Sequence, residues 1–311
     1  MKNKITTQKI DSYYKYFYIL LISIFIYAMT ILFKDMFYNL FNISIKNLNN
    51  IEKNLVNITY QIFAITISLN FFIKNKNKKL NTFKKYIKEC RIALLSIIVY
   101  SLTSLIELII LYYFKVNIEN MSITAKTIYL ISCETLIIGI ICLINNKTLE
   151  TNIKDMKINF KNYIDKNIKY YILAIFVMML SNIIINQIYP SIAGNQESII
   201  NTLKKAPIYM FFQSVIFAPI IEEIIFRLSI RRIIKDNLTF IITSGLIFGG
   251  MHVIGNINNF YDILYIIPYS APGIAFAYIL TKTNNILVPI SIHFMHNTIM
   301  ILIQIIVLFI L

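Results

Sequence analysis

The sequence predicts an all-α, polytopic membrane protein, a bundle of about eight to nine transmembrane helices. Hydrophobic residues make up 57% of the 311 positions, and the mean hydropathy is +0.66. Apolar runs close to the length of about 20 residues that crosses a bilayer recur along the whole chain. The basic residues gather in short segments between these runs. Together these observations exclude an ordinary soluble domain.

The candidate spans follow from these apolar runs. In chain order they lie at about 13–33, 58–73, 92–114, 127–145, 170–189, 206–227, 238–254, 263–281 and 286–308. The first run is longer than the 7–15 apolar residues of a signal peptide, so we expect it to remain as a span. The second run is short and is expected to be tilted or interfacial.

The distribution of Lys and Arg predicts the orientation. With a cytoplasmic N-terminus, the inside segments hold 22 of the 30 basic residues: 1–12, 74–91, 146–169, 227–237 and 282–285. This asymmetry predicts an integral protein of the bacterial plasma membrane with its N-terminus in the cytoplasm. It also accounts for the net charge of +15 without nucleic acid, which we do not expect as a partner.

Two regions are expected along the chain. Residues 1–169 would supply transmembrane helices and loops without a chemical motif, and residues 170–311 would form the catalytic membrane core, with its motifs within 205–300. The segments 34–57 and 146–169 are rich in Asn and Lys and lack a periodic apolar pattern, so we expect loops there. No internal repeat is visible.

The first motif combines two acids and an arginine in an apolar run. Glu223 and Arg227 are four residues apart, so on a helix they can form an ion pair. Glu222 is rotated by about 100° from Glu223 and must face something else. Pro219 removes one helical hydrogen bond just before the acids. A structural salt bridge alone would explain the pair but not Glu222.

The second motif places His252 after the small residues Gly245 and Gly249. These glycines have the small-xxx-small spacing that lets another helix approach closely. The third motif is His293 with Asn297 one helical turn later, on the same face. His296 is offset toward a neighbouring face, and we expect it to pack or to support its neighbours. Each motif alone is also compatible with polar packing between helices.

Depth in the membrane connects the three motifs. If helices turn near Asp236-Asn237 and Asn284-Asn285, then Glu222, His252 and His293 all reach a level about 13 Å inside the membrane boundary. Ionisable groups at such depth are costly, by roughly 2.5–3.5 kcal/mol each on insertion scales, and therefore indicate function. We expect these side chains to meet in one site.

The chemistry of this set allows several arrangements. A carboxylate kept out of bulk water suits a general base, and imidazole and amide groups can stabilise an oxyanion or position a water. Neutral imidazoles with a carboxylate also suit zinc, so Glu222, His252 and His293 are possible ligands of a divalent metal. The H-E-x-x-H arrangement of metalloproteases is absent from the sequence. No cofactor is therefore certain.

At these residues the chain resembles the CPBP family, the CAAX protease and bacteriocin-processing group of membrane proteins, also called Abi proteins. That family's pattern is E-E-x-x-x-R, then F-x-x-x-H, then H-x-x-x-[NB] in successive helices. The matching positions here are Glu222-Glu223-x-x-x-Arg227, Phe248-x-x-x-His252 and His293-x-x-x-Asn297. The resemblance covers about 205–300.

The resemblance implies an intramembrane endopeptidase acting on a peptide or membrane-protein substrate within the lipid bilayer. Glu222 would activate the attacking water, with His252 assisting or orienting it. His293 and Asn297 would stabilise the oxyanion. The supporting residues would be Glu223 and Arg227. Members of the family have been described both as metalloproteases and as metal-free enzymes, so the resemblance leaves the metal open.

Two other functions fit the same residues. A non-catalytic member of the family would act in bacteriocin self-immunity or as a membrane scaffold. A secondary transporter would use Glu222, His252 and His293 as a proton relay, although such transporters usually carry an inverted repeat. The substrate of a peptidase, prenylated or not, does not follow from the sequence.

Overall fold

The computed structural model describes residues 80–114, 118–190, 193–254 and 260–309, and in these ranges the chain is helical without strands. The all-α prediction is therefore confirmed. We number the helices α1 Leu80–Ser101, α2 Thr103–Tyr113, α3 Ile123–Ile144, α4 Asn146–Ile188, α5 Gly194–Lys205, α6 Pro207–Ile233, α7 Asn237–Ile254, α8 Ile266–Thr283 and α9 Leu287–Phe309. Residues Cys90–Leu311 form one compact unit, and the contacts described below lie within it.

Within the described ranges, five helical stretches are long and apolar enough to cross a membrane. They are Ile123–Ile144, Asn146–Ile188, Pro207–Ile233, Tyr261–Thr283 and Leu287–Leu308, with Asn237–Val253 as a shorter apolar helix. The predicted span at 92–114 is divided between α1 and α2, which separate at Leu102. The predicted spans at 13–33 and 58–73 lie outside the described residues. The count of about eight to nine is thus not confirmed.

One expected loop is wrong. Residues 146–169 are helical and form the first half of α4, which runs for 43 residues without interruption. The segment 146–188 contains neither proline nor glycine, so nothing in it breaks a helix. Its Lys and Asn side chains predicted a loop, but they belong to a helix that continues into an apolar second half. The short helix α5, which we did not predict, precedes α6.

The helix with the two acids contains two π-helical turns. In α6, π-helical turns at Phe212–Phe217 and Glu223–Ser229 flank a short α-helical stretch, Ala218–Glu222. Pro219 lies at the start of that stretch, directly after the first π-helical turn, and supplies no N–H to the carbonyls of that turn. π-Helical turns inside α-helices are frequent at functional sites.

Helices α7 and α8 pack at unusually short distance. A Cβ atom on Gly245 would lie 2.3 Å from Cγ1 of Ile274, and one on Gly249 would lie 2.1 Å from Oγ of Ser270. Both are closer than real Cβ atoms approach their neighbours. The small-xxx-small pair therefore does what its spacing predicted, and it brings the helix of His252 against α8.

Both predicted turns are present. The side chain of Asp236 accepts hydrogen bonds from the amide and the hydroxyl of Thr239, 2.8 and 2.7 Å long, where α7 begins. Asn284 has a φ of +51° and ends α8 in the left-handed conformation that asparagine tolerates. These turns set the positions of α7 and α9 along the bundle.

The turn between α8 and α9 is held by the polar half of α4. The side-chain amide of Asn285 donates to the backbone carbonyl of Asn152 at 2.9 Å and to Oδ2 of Asp155 at 2.7 Å. Asn159 and Tyr163 also donate to the Asp155 carboxylate. Asp155 precedes the apolar part of α4, and these donors hold its pKa below the usual value because they favour the charged form. We call Asn152, Asp155 and Asn285 the turn clamp.

Candidate active site

A cavity of about 820 Å³ lies between the helices. The side chains that line it come from several helices, including α4 to α9. Among them are all four of the predicted catalytic residues, Glu222, His252, His293 and Asn297. The structure therefore brings together residues that are up to 75 positions apart in the chain.

Glu222 lies at the end of the α-helical stretch of α6, and its side chain is 18% exposed. Its Oε2 atom is 3.8 Å from Nε2 of His293, which is too long for a direct hydrogen bond. Within the described ranges no side chain or amide donates a hydrogen bond to this oxygen, although it is buried. A separation of this size suits a bridging water molecule.

Glu223 and Arg227 are fully buried and do not line the cavity, whereas Glu222 does. Oε1 of Glu223 lies 3.2 Å from Nη1 of Arg227, and this is the ion pair expected from their i and i+4 spacing. The guanidinium also lies 4.2 Å from the ring centre of Phe248 and donates to the Gly273 carbonyl at 3.3 Å. Buried charges are stable only when paired in this way, so this pair is part of the scaffold of the site.

His252 has a defined tautomer when neutral. Its Nδ1 atom lies 2.9 Å from the Phe248 carbonyl, one turn earlier in α7. A carbonyl oxygen only accepts hydrogen bonds, so Nδ1 carries the proton and Nε2 has the free lone pair. The ring stacks on Tyr269 with centroids 5.1 Å apart. It is therefore oriented by its own helix and by α8.

His293 is held between the two acids. Its Nδ1 atom lies 2.9 Å from Oε1 of Glu223, which as a carboxylate accepts the proton's hydrogen bond. The neutral ring then presents a lone pair on Nε2, the atom that faces Glu222. Phe276 stacks on the ring at 5.0 Å.

Asn297 is joined to α6 through a carbonyl that the π-helical turn leaves open. The amide of Ala218 donates to the Gln213 carbonyl, five residues back. In the same register the Ser214 carbonyl would pair with residue 219, a proline without an N–H group. The Asn297 amide donates to that carbonyl instead, at 2.7 Å. One hydrogen of its amide group is thus used, and the second remains for another acceptor.

His296 lines the same cavity, which the sequence analysis did not expect. It is three residues after His293, and residues three and four apart on a helix are neighbours. His293, His296, Asn297 and Met300 all line the cavity, in the pattern i, i+3, i+4 and i+7. That spacing is visible in the sequence and would have identified His296 as part of the site.

The residues suggested as metal ligands do not form a ready site. Among the described residues, no three His, Cys, Asp or Glu side chains are close enough together to hold one metal ion. Glu222 and His293 face each other, and because Nδ1 of His293 is bonded to Glu223, Nε2 is the nitrogen that this ring could offer to a metal. Glu222, His252 and His293 are thus not assembled into a set of three ligands in the described part of the chain.

Three comparisons with known proteins bear on this site. A family model described as type II CAAX prenyl endopeptidase Rce1-like matches residues 204–299. The membrane-embedded CAAX protease MroQ of Staphylococcus aureus (strain USA300) is 30% identical over 230 residues, 68% of this chain and 88% of that protein. The putative membrane peptidase YdiL of Bacillus subtilis (strain 168) is 27% identical over 188 residues, 58% of this chain and 70% of that protein. No solved structure matches the chain.

The match at residues 204–299 contains every predicted site residue, from Glu222 to Asn297. The apolar helices and the membrane-embedded relatives together indicate an integral membrane protein, and the family supports a membrane peptidase. The chain belongs to the CPBP family, the CAAX-protease-like group of membrane proteins.

Proposed function

We propose that the chain is an intramembrane endopeptidase that hydrolyses peptide bonds through a water molecule activated by Glu222. The observation that carries this proposal is the carboxylate oxygen of Glu222, which is buried, receives no hydrogen bond from the described residues and faces an imidazole 3.8 Å away. The carboxylate opens on a cavity of about 820 Å³, large enough for a segment of peptide.

In the first step, Glu222 removes a proton from the water while the water oxygen attacks the carbonyl carbon of the peptide bond. Nε2 of His252 accepts a hydrogen bond from the other O–H group of that water and so orients the water for attack. This use of His252 follows from its tautomer, since the free lone pair is on Nε2.

The attack places negative charge on the carbonyl oxygen. Asn297 offers the amide hydrogen that is not bound to Ser214, and His293, held at Nδ1 by Glu223, offers Nε2–H when its ring is protonated. Glu222 then returns its proton to the leaving nitrogen, the carbon–nitrogen bond breaks, and a carboxylic acid and an amine are released. No step is assigned to a metal.

The predicted orientation puts this chemistry toward the cytoplasmic side of a bacterial plasma membrane. Arg231 and Arg232 mark the end of α6, and Glu222 is nine residues before Arg231. The intervening Glu223–Ser229 is π-helical and rises less per residue than an α-helix, so the carboxylate is somewhat less than about 13 Å inside that boundary. Substrate bonds would therefore be cut below the headgroups, in a peptide that enters the bilayer.

The proposal is tested by comparing peptides from membranes and culture medium by mass spectrometry, in cells that produce either the parent protein or Glu222→Gln. Glutamine keeps the size of the side chain and cannot take the proton. We expect one or more cleavage products to disappear in the variant. Glu134→Gln is a matched control, because Glu134 is also a buried acid in a span but lies outside the cavity and accepts a hydrogen bond from Tyr209.

Identical peptides in the parent and in Glu222→Gln, with equal amounts of both proteins in the membrane, would contradict the proposal. A bacteriocin-immunity or scaffold role, which needs no proton transfer, would then be the better reading. Loss of the products in Glu134→Gln as well would show that any buried acid is needed for folding, and would remove the support for Glu222 as the base.

A further inference from the structure

The cavity contains a third imidazole, His296, which is not part of the family pattern. His296 is part of the cavity wall, and its Nδ1 atom lies 3.1 Å from the hydroxyl of Tyr171 on α4. The two rings meet edge to face, with centroids 5.9 Å apart. This contact joins helices α4 and α9 at the site.

The direction of this hydrogen bond follows from the surroundings of Tyr171. Its side chain is 8% exposed, and in the part of the chain that the structure describes its hydroxyl has no hydrogen-bond partner other than His296. A buried hydroxyl hydrogen needs an acceptor. If the imidazole donated from Nδ1, the phenol's hydrogen would have none. Tyr171 therefore donates, and the neutral ring of His296 carries its hydrogen on Nε2.

This tautomer distinguishes His296 from the other two imidazoles of the cavity. His252 and His293 each use Nδ1–H on an acceptor, so their neutral rings present lone pairs on Nε2. His296 uses Nδ1 as an acceptor and presents Nε2–H. Tyr171 does not line the cavity whereas His296 does, so the ring edge away from Tyr171 is the one that faces it. When all three rings are neutral, they thus supply two acceptors and one donor.

We propose that His296 donates a hydrogen bond from Nε2 to a carbonyl oxygen of the bound peptide, and that Tyr171 is the positioning residue that keeps the hydrogen on that nitrogen. This inference rests on the proposed peptidase activity. A peptide backbone offers carbonyl acceptors along its whole length, and His296 is a donor that needs no charging. Asn297, the next residue, has one amide hydrogen already bound to Ser214.

Two nearly isosteric substitutions test the donor. His296→Gln keeps an N–H group near the position of Nε2, whereas His296→Met has a similar size and no donor. The substrate is a synthetic quenched-fluorescence peptide that carries a cut site found in the mass-spectrometric comparison above. We expect His296→Gln to stay within about threefold of the parent kcat/KM and His296→Met to lose at least about tenfold, the size of one hydrogen bond.

A second measurement reads the tautomer without any substrate. The chain has three histidines, so the ¹⁵N resonances of histidine-labelled protein can be assigned by single substitutions. We expect the pattern of an Nε2–H ring for His296 and of an Nδ1–H ring for His252. Tyr171→Phe should remove this preference at His296 and lower kcat/KM. Tyr170→Phe removes a neighbouring hydroxyl outside the cavity and should change neither.

The outcomes separate this inference from the proposed function. If the parent cleaves peptides but His296→Met is as active as His296→Gln, or His296 is an Nδ1–H ring, the donor role is wrong and the peptidase proposal stands. Equal losses in both variants indicate packing alone and also overturn it. If Glu222→Gln leaves all peptides unchanged, the proposed function fails, and the assignment of His296 to a peptide substrate falls with it.

Discussion

Oε1 of Glu223 lies 2.9 Å from Nδ1 of His293 and joins α6 to α9 inside the bundle. The same oxygen is 3.2 Å from Arg227, so one buried carboxylate oxygen serves a cation and an imidazole. Its neighbour in the sequence, Glu222, faces the cavity instead. Adjacent acids therefore have different surroundings, which agree with a supporting role for Glu223 and with the proposed catalytic role of Glu222.

The first prediction concerns Glu223. Glu223→Gln leaves Arg227 buried without its counter-charge, and breaking a buried ion pair from one side costs about 3–5 kcal/mol. We expect a clear fall in the apparent melting temperature of the detergent-solubilised protein, measured by the fluorescence of a thiol-reactive dye, together with loss of activity. A variant that melts like the parent would show that the pair does not stabilise the fold.

Glu222 should behave in the opposite way. Within the described residues its buried oxygen accepts no hydrogen bond, so Glu222→Gln removes little that holds the folded chain together. We expect an apparent melting temperature equal to or above that of the parent. Activity should fall by roughly 10²–10⁴-fold, the usual contribution of a general base. A loss of stability as large as that of Glu223→Gln would contradict this division of tasks.

The third prediction concerns the close contact between α7 and α8. Gly249→Ala would put a Cβ atom 2.1 Å from Oγ of Ser270 and 2.8 Å from the Ile266 carbonyl. The backbone atom cannot move without shifting α8, so we expect a loss of about 1–3 kcal/mol, as for other overpacked sites. His252 and Tyr269 lie on these two helices, so activity should fall as well.

Gly139→Ala is the matched control for this substitution. Gly139 is also inside an apolar helix, but no atom lies within 4 Å of the Cβ position. Alanine favours helix over glycine by up to about 1 kcal/mol, so this variant should be as stable as the parent or more so. Equal destabilisation of both variants would indicate a general intolerance of alanine and not a specific helix contact.

The turn clamp gives a prediction about pH. Hydrogen bonds from Asn285, Asn159 and Tyr163 hold the pKa of Asp155 below its usual value of about 3.8. Because the pKa is lower in the folded state, the carboxylate stabilises the fold fully at pH values above its usual pKa. This contribution is lost as the pH falls from there through the lowered pKa. Asp155→Asn should therefore melt below the parent at pH 7.

At pH 3 the difference between Asp155→Asn and the parent should be smaller, because the parent has then lost part of the same contribution. Melting of both proteins in one detergent across pH 3–7 measures this. A difference that stays constant over that range would show that the charge of Asp155 does not contribute to the stability of the turn.

Much of the architecture could be predicted from local patterns. Apolar length identified the membrane class, and the i and i+4 spacing of Glu223 and Arg227 identified their ion pair, because both depend on neighbours within one helix. The spacing of Gly245 and Gly249 predicted the close approach of another helix, and the structure identified that helix as α8. The helical first half of α4 was not predicted, because its polar composition resembles that of a loop. Its lack of proline and glycine is what allows the helix to continue through it.

The sequence by itself identified Glu222, His252, His293 and Asn297 as candidates and indicated the chemistry that such groups can perform, but it did not include His296. The tautomer of His252 follows from a contact within its own helix, but only the tertiary structure decided which nitrogen carries the hydrogen in the other two imidazoles. For His293 and His296 that choice depends on Glu223 and Tyr171, partners 70 and 125 positions away in the chain. A hydrogen-bond direction is set by atoms in contact, and contacts between distant helices are not encoded in any local spacing.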